Sequence, residues 1–108
     1  MREARIENRL VRKIEKRGGM APKWSSPGMR GVPDRIVILP NRIIFVELKA
    51  PGKVPRPLQE KRAKMLRDMG HEVRCIDSVE DVDRFVEEVL PFWSTGRTNT
   101  KSTQQKKF

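Results

Sequence analysis

Two short runs rich in β-branched residues, Arg35-Ile36-Val37-Ile38-Leu39 and Ile43-Ile44-Phe45-Val46-Glu47-Leu48, stand three residues apart, with Pro40-Asn41-Arg42 between them. Runs of this length and composition joined by a turn read as a β-hairpin. Both are nearly continuous in apolar residues, which predicts strands in the middle of a sheet, covered on both faces. The rest of the chain must supply that cover, and 108 residues are enough for one core only. Upstream, Ile6, Leu10, Val11 and Ile14 recur at helical spacing between Arg2 and Arg17, and Gly18-Gly19 stops the pattern. Met20 to Ser26 is a further short strand candidate. Downstream, a helix is predicted from about Pro57 to Met69, with Leu58, Met65, Leu66 and Met69 on one side and Gly70 as its stop. His71 to Ile76 reads as a strand. Ser78 caps a last, acidic helix with Val82, Phe85, Val86 and Val89 apolar, and Pro91 ends it. This order describes one α/β domain with a small mixed sheet over residues 1–91. Residues 92–108 form a basic tail with almost no apolar side chain, and disorder is expected there.

Charge narrows the partner. The 24 Lys and Arg exceed the 14 Asp and Glu, giving +10, and the excess is uneven. Residues 1–67 hold 18 basic and 6 acidic side chains, residues 68–90 hold 2 and 8, and the remainder 4 and none. A domain with one strongly cationic end attracts polyanions, nucleic acid first among them, with an anionic membrane or an acidic protein as alternatives. No apolar run approaches the roughly 20 residues that span a bilayer. The single cysteine, Cys75, excludes an intramolecular disulfide framework and a Cys-rich zinc site, and no segment reads as a secretory signal, so a reducing, cytoplasmic compartment is expected.

The chemistry centres on Glu47 and Lys49. Two apart in a strand, their side chains leave the same face of the sheet. Acid-x-base triplets begin also at Glu3, Glu7, Glu15, Glu60 and Glu72, so the spacing alone carries little. Four of these six lie on predicted helices, where i and i+2 diverge, and only Glu47 and Glu72 remain. What distinguishes Glu47 is Asp34, which precedes the partner strand, so that the hairpin can bring two carboxylates to one end of the sheet. Facing carboxylates repel and are costly to bury unless a cation lies between them, a condition that suits Mg²⁺ or Mn²⁺. The competing reading is an ion pair between Glu47 and Lys49 at a strand end. Glu7, on the inner stripe of the first helix, must meet a basic side chain or reach a metal site. Gln59, in the first turn of the second helix, is either a capping or surface glutamine or a site residue.

Gly31-Val32-Pro33-Asp34, then Glu47-Leu48-Lys49, then Gln59, with Glu7 upstream, resemble the PD-(D/E)XK nucleases, and specifically the VRR-NUC (virus-type replication-repair nuclease) group, over roughly Glu3 to Leu90. The resemblance implies a restriction-endonuclease-like core, helix, three strands, helix and strand, with an extra C-terminal helix. It implies a Mg²⁺- or Mn²⁺-dependent endonuclease acting on DNA, without an organic cofactor. By position, Asp34, Glu47 and the Leu48 carbonyl are then the metal ligands, Lys49 the catalytic lysine, and Gln59 and Glu7 supporting site residues. Stand-alone members of the group resemble junction-resolving enzymes, which implies a homodimer and branched DNA of the Holliday-junction kind, in a bacterial cell or phage-infected host. Backbone contacts are expected from Arg5, Arg9, Arg12 and Lys16 on the first helix, from Lys53, Arg56, Lys61 and Lys64 around the second, and from Arg30 beside Met29 in the loop before Asp34. Trp24 and Trp93 either stack on bases or pack within the protein. His71 is expected to be structural and Cys75 a small buried hydrophobe. Two competing readings are a non-catalytic basic nucleic-acid-binding module, with Glu47 and Lys49 an inert ion pair, and a nuclease acting on flaps or linear duplex.

Overall fold

In the computed structural model, which describes residues 2–91, the two apolar runs form the hairpin, β1 (Arg35–Leu39) and β2 (Arg42–Leu48), in antiparallel register from Arg35↔Val46 to Leu39↔Arg42. Asn41 makes the turn at φ 59°, a left-handed conformation that asparagine tolerates better than most residues. The chain then crosses through α2 (Pro57–Asp68) to β3 (Glu72–Ile76), which pairs parallel with β2, Ile44↔Glu72 through Leu48↔Ile76. The strand order β1-β2-β3 makes the expected small mixed sheet, with β2 central. On the far side of β1, Met20–Trp24 runs antiparallel but makes only the isolated bridges Met20↔Ile38 and Lys23↔Arg35. Pro22 accepts from the Ile36 amide but has no N–H to return, so the expected strand there never closes into a regular ladder.

One face of the sheet carries the core. Ile6, Leu10 and Ile14 of α1 (Glu3–Lys16) and Val82, Phe85, Val86 and Val89 of α3 (Val79–Val89) are buried against Val37, Leu39, Ile44, Val46, Leu48 and Ile76. The Ser78 hydroxyl accepts from the Asp81 amide at 3.0 Å and caps α3 as expected. The other face is thinly covered: Ile36 and Ile38 are half-buried and Ile43 is exposed, so the hairpin is enclosed on one side rather than two. The reason is α2, which buries none of its residues; Leu58, Met65 and Met69 are exposed. It lies on the β3 side, held in part by Arg67, whose guanidinium donates to the Val73 carbonyl at 2.8 Å.

The charge asymmetry of the sequence meets itself across the α1–α3 seam. Arg9 donates twice to Asp83, at 2.9 Å each, Lys13 reaches the same carboxylate at 2.8 Å, and Arg17 binds Glu87 at 2.7 Å. The hydrogen bonds from Arg9 and Lys13 hold the Asp83 carboxyl down at about 2. Among the described residues no helix is long and apolar enough to cross a membrane. The expected tail, residues 92–108, and with it Trp93, lies outside the described residues.

Candidate active site

The antiparallel register that pairs Arg35 with Val46 brings Asp34, one residue earlier, level with the end of β2. There the Asp34 carboxylate accepts a hydrogen bond from the Leu48 amide at 2.8 Å. The loop before it is set by α2. Gly31 stands at φ 85°, and a Cβ there would lie 2.8 Å from Leu58 Cγ, so only glycine lets the loop approach so closely. Arg62 of α2 fastens the same loop by donating to the Arg30 carbonyl at 2.8 Å.

Glu47 is the unusual residue. It is 5% exposed, and neither carboxylate oxygen has a hydrogen-bond partner. Lys49 Nζ lies 3.2 Å from Oε2 as an ion pair without hydrogen-bond alignment. Burial above all, then the charge of Asp34, push the Glu47 carboxyl up to about 7, against the pull of Lys49. A buried carboxylate without donors loses several kcal/mol, roughly, unless something supplies positive charge. The two carboxylates offer hard oxygens to a divalent cation, and the Leu48 carbonyl follows Glu47 along β2. Among the described residues no group of three or more His, Cys, Asp or Glu is placed to hold an ion. A cation between Asp34 and Glu47 would therefore keep water in most of its shell, which is the habit of Mg²⁺. The residues fit such an ion: Glu47 is buried with no hydrogen-bond partner on either oxygen and only the Lys49 ion pair to offset its charge.

The remaining expected site residues divide. Gln59 lines a cavity of about 450 Å³ with Pro33, Glu47, Ala63, Arg67 and Cys75. Its Oε1 also accepts from the Arg56 amide at 2.8 Å, so the capping role and a place at the site coexist. Glu7 meets a basic side chain instead: its carboxylate binds Arg35 Nε at 2.8 Å, and Arg35 also donates to the Ala21 carbonyl. The α1 carboxylate whose charge reaches Glu47 is Glu3, one turn earlier. Sequence reasoning passed over Glu3 because Glu3 and Glu7, four apart, share one side of a helix. It also misplaced Cys75, which is exposed in the cavity rather than buried, since α2 leaves that part of β3 open.

The basic residues divide as well. Arg9 is engaged by Asp83, whereas Arg2, Arg5 and Arg12 are exposed and line a groove of about 850 Å³ with Asn8 and Arg35. Lys16, Arg30, Lys53, Arg56 and Lys61 are exposed, and Lys64 pairs with Asp68 at 2.7 Å. Trp24 is half-buried and packs on Phe45 at 5.2 Å between ring centroids, and His71 meets the same ring edge-on at 6.1 Å.

No protein-family model matches the chain. A curated relative from Acyrthosiphon pisum secondary endosymbiont phage 1, named "Putative nuclease p44", is 53% identical over 79 residues, spanning 72% of this chain and 85% of that protein. A solved structure titled "VRR_NUC domain" superposes with a TM-score of 0.75 at 34% identity, covering 81% of this chain and 96% of the other. With a relative that close, a shared fold over nearly the whole of a solved domain, and Asp34, Glu47 and Lys49 gathered at one sheet end, the chain belongs to the VRR-NUC family of nucleases.

Proposed function

We propose that this nuclease is a Mg²⁺- or Mn²⁺-dependent endonuclease of branched DNA, of the Holliday-junction-resolving type, working as a homodimer in a bacterial or phage-infected cell. The observation that carries the metal reading is Glu47, buried beside Asp34 with no hydrogen-bond partner on either oxygen and the Lys49 ion pair as its one compensating charge among the described residues. When bound, a divalent cation lowers the pKa of a coordinated water and offsets charge on the phosphate oxygens. Asp34 and Glu47 would hold it, with the Leu48 carbonyl as a further oxygen. The Leu48 amide orients Asp34, so the backbone of β2 fixes one carboxylate while its side chains supply the other and the ammonium. Lys49 would neutralise charge that develops on the phosphate in the transition state. Gln59 stands at the rim of the same cavity.

DNA contacts fall to the exposed cations, Arg5, Arg12 and Lys16 on α1 and Arg30, Lys53, Arg56 and Lys61 near α2, which grip phosphates without reading bases. Support for a homodimer comes from the thinly covered sheet face. Ile43 is exposed on that face, and Leu58 and Met65 are exposed on α2.

The test is cleavage of labelled four-way junction, flap and linear duplex by wild type and Glu47→Ala, with Mg²⁺, Mn²⁺ and EDTA. Metal-dependent cutting of the junction at paired symmetric positions, lost in Glu47→Ala, is expected. Preference for flaps or duplex would revise the substrate, and tight binding with no cleavage under any metal would overturn the catalytic reading.

A further inference from the structure

Three cations line the cavity of about 450 Å³ that holds Glu47, and their charges are not equally spent. Lys64 pairs with Asp68 at 2.7 Å, and Arg74 is taken up by Glu72 and Glu88. Arg67 differs: among the described residues it has no carboxylate partner, and its guanidinium is tethered by a neutral group, the Val73 carbonyl, at 2.8 Å. A guanidinium carries five N–H donors, so one bond to a carbonyl fixes its place and leaves its charge and most of its fork for an anion. A side chain already held in place loses less freedom when a ligand arrives. The acid at the far end of the same helix face, Glu60, is seven residues away, about 10 Å along the axis, so the Arg67 end of the cavity stays positive.

The opposite wall identifies the anion. Glu47 is 5% exposed, so a phosphate that meets a cation held there has to enter the cavity. A space of about 450 Å³ corresponds to about 8 Å on a side, narrower than a single major groove of DNA at about 12 Å, so a strand enters it only unpaired. Pro33, Ala63 and Val73 give that strand apolar surface between the two charged ends.

We propose that Arg67 binds the phosphate next to the scissile one, on a DNA strand that enters the cavity unpaired. This rests on the reading of Glu47 as a ligand of the cation that meets the scissile phosphate, and it adds the grip that selects an unpaired strand. Arg67 makes no bond to the reacting group; it positions the strand. Unpairing a nucleotide costs least where the helix is already interrupted, so the contact favours a branch point or flap over continuous duplex.

Binding without metal tests the contact apart from catalysis. In EDTA, full-length wild type, Arg67→Gln and Arg67→Lys are titrated into labelled four-way junction and flap, followed by fluorescence anisotropy between about 50 and 200 mM salt. Glutamine keeps a donor for the Val73 carbonyl and removes the charge, and circular dichroism checks that both variants fold. The slope of log affinity against log salt should shrink by about 0.7 in Arg67→Gln, the share of one phosphate on a single strand, and recover in Arg67→Lys. 2-Aminopurine placed singly at successive positions beside the branch should brighten at one position when wild type binds, reporting an unstacked base, and stay dark there with Arg67→Gln. An unchanged slope in Arg67→Gln, or no position that brightens with wild type, would overturn the proposal. Cleavage of the same DNA by wild type in Mg²⁺ or Mn²⁺ keeps the two readings apart. Cleavage with an unchanged slope removes this proposal alone, whereas a reduced slope and one bright position without cleavage under either metal remove the metal-nuclease reading and leave the strand contact.

Discussion

Replacing Glu47 by glutamine should stabilise the metal-free protein while destroying its activity. The folded carboxyl titrates at about 7 against an ordinary 4.5, chiefly because it is buried. Below 4.5 both the folded and the unfolded chain carry the proton, and the group contributes nothing. As pH rises from there to about 7, the unfolded carboxyl ionises first, the folded state binds more protons, and stability falls. Above about 7 the penalty is complete. Its size is about 3 kcal/mol, and the glutamine side chain, isosteric with the protonated acid, escapes it. In urea, with slopes of about 1–2 kcal/mol per molar for a domain of this size, the midpoint of Glu47→Gln should exceed that of wild type by roughly 2 M on the alkaline side of the window. On the acid side the two midpoints should coincide. Because every other titrating group is common to both proteins, the difference curve isolates Glu47. Adding Mg²⁺ or Mn²⁺ above the window should restore stability to wild type by mass action and leave Glu47→Gln unchanged. Equal midpoints on both sides, or a variant weaker than wild type on the alkaline side, would refute the argument that this carboxylate is buried without adequate compensation.

Three further results are expected. Asp34→Ala strands the Leu48 amide and should cost about 1–3 kcal/mol in chemical denaturation, Asp34→Asn should cost less because it keeps an acceptor, and both should abolish metal-dependent cleavage. Gly31→Ala introduces a Cβ into Leu58 at a positive φ; a loss of about 1–3 kcal/mol in thermal or urea unfolding, with reduced cleavage from a displaced Asp34, is expected. Arg5→Ala and Arg12→Ala should each lower the salt dependence of DNA binding by about one released counterion. By contrast Arg9→Ala should leave that slope unchanged and lower the urea midpoint slightly, because its guanidinium is held by Asp83 at a solvent-exposed seam.

Local pattern was enough for the hairpin, because short β-branched apolar runs around Pro40-Asn41-Arg42 have few other ways to fold. It was enough for the stripe of Ile6, Leu10 and Ile14 and for the Ser78 cap, which depend on neighbours within one turn. The meeting of Asp34 with Glu47 followed from the hairpin alone, since an antiparallel register fixes which residues stand level. The motif residues then pointed to the family that the relatives bear out.

What local pattern did not reach was the packing of elements distant in sequence. Helical periodicity puts Glu3 and Glu7 on one side of α1, but the position of Arg35 on β1 decides that Glu7 is taken up in an ion pair. The same periodicity groups Arg5, Arg9, Arg12 and Lys16 as one basic face, and the seat of α3 takes Arg9 from that set through Asp83. The shallow placement of α2, which leaves Leu58, Met65, Met69 and Cys75 open, depends on where the crossover rests on the sheet. Backbone propensity and spacing act over three or four residues, so the sequence by itself determined the elements and the hairpin that joins the two carboxylates. Which charges are neutralised, which remain exposed, and which thiol shares the cavity depend on side chains many residues apart, and only the tertiary structure decided them.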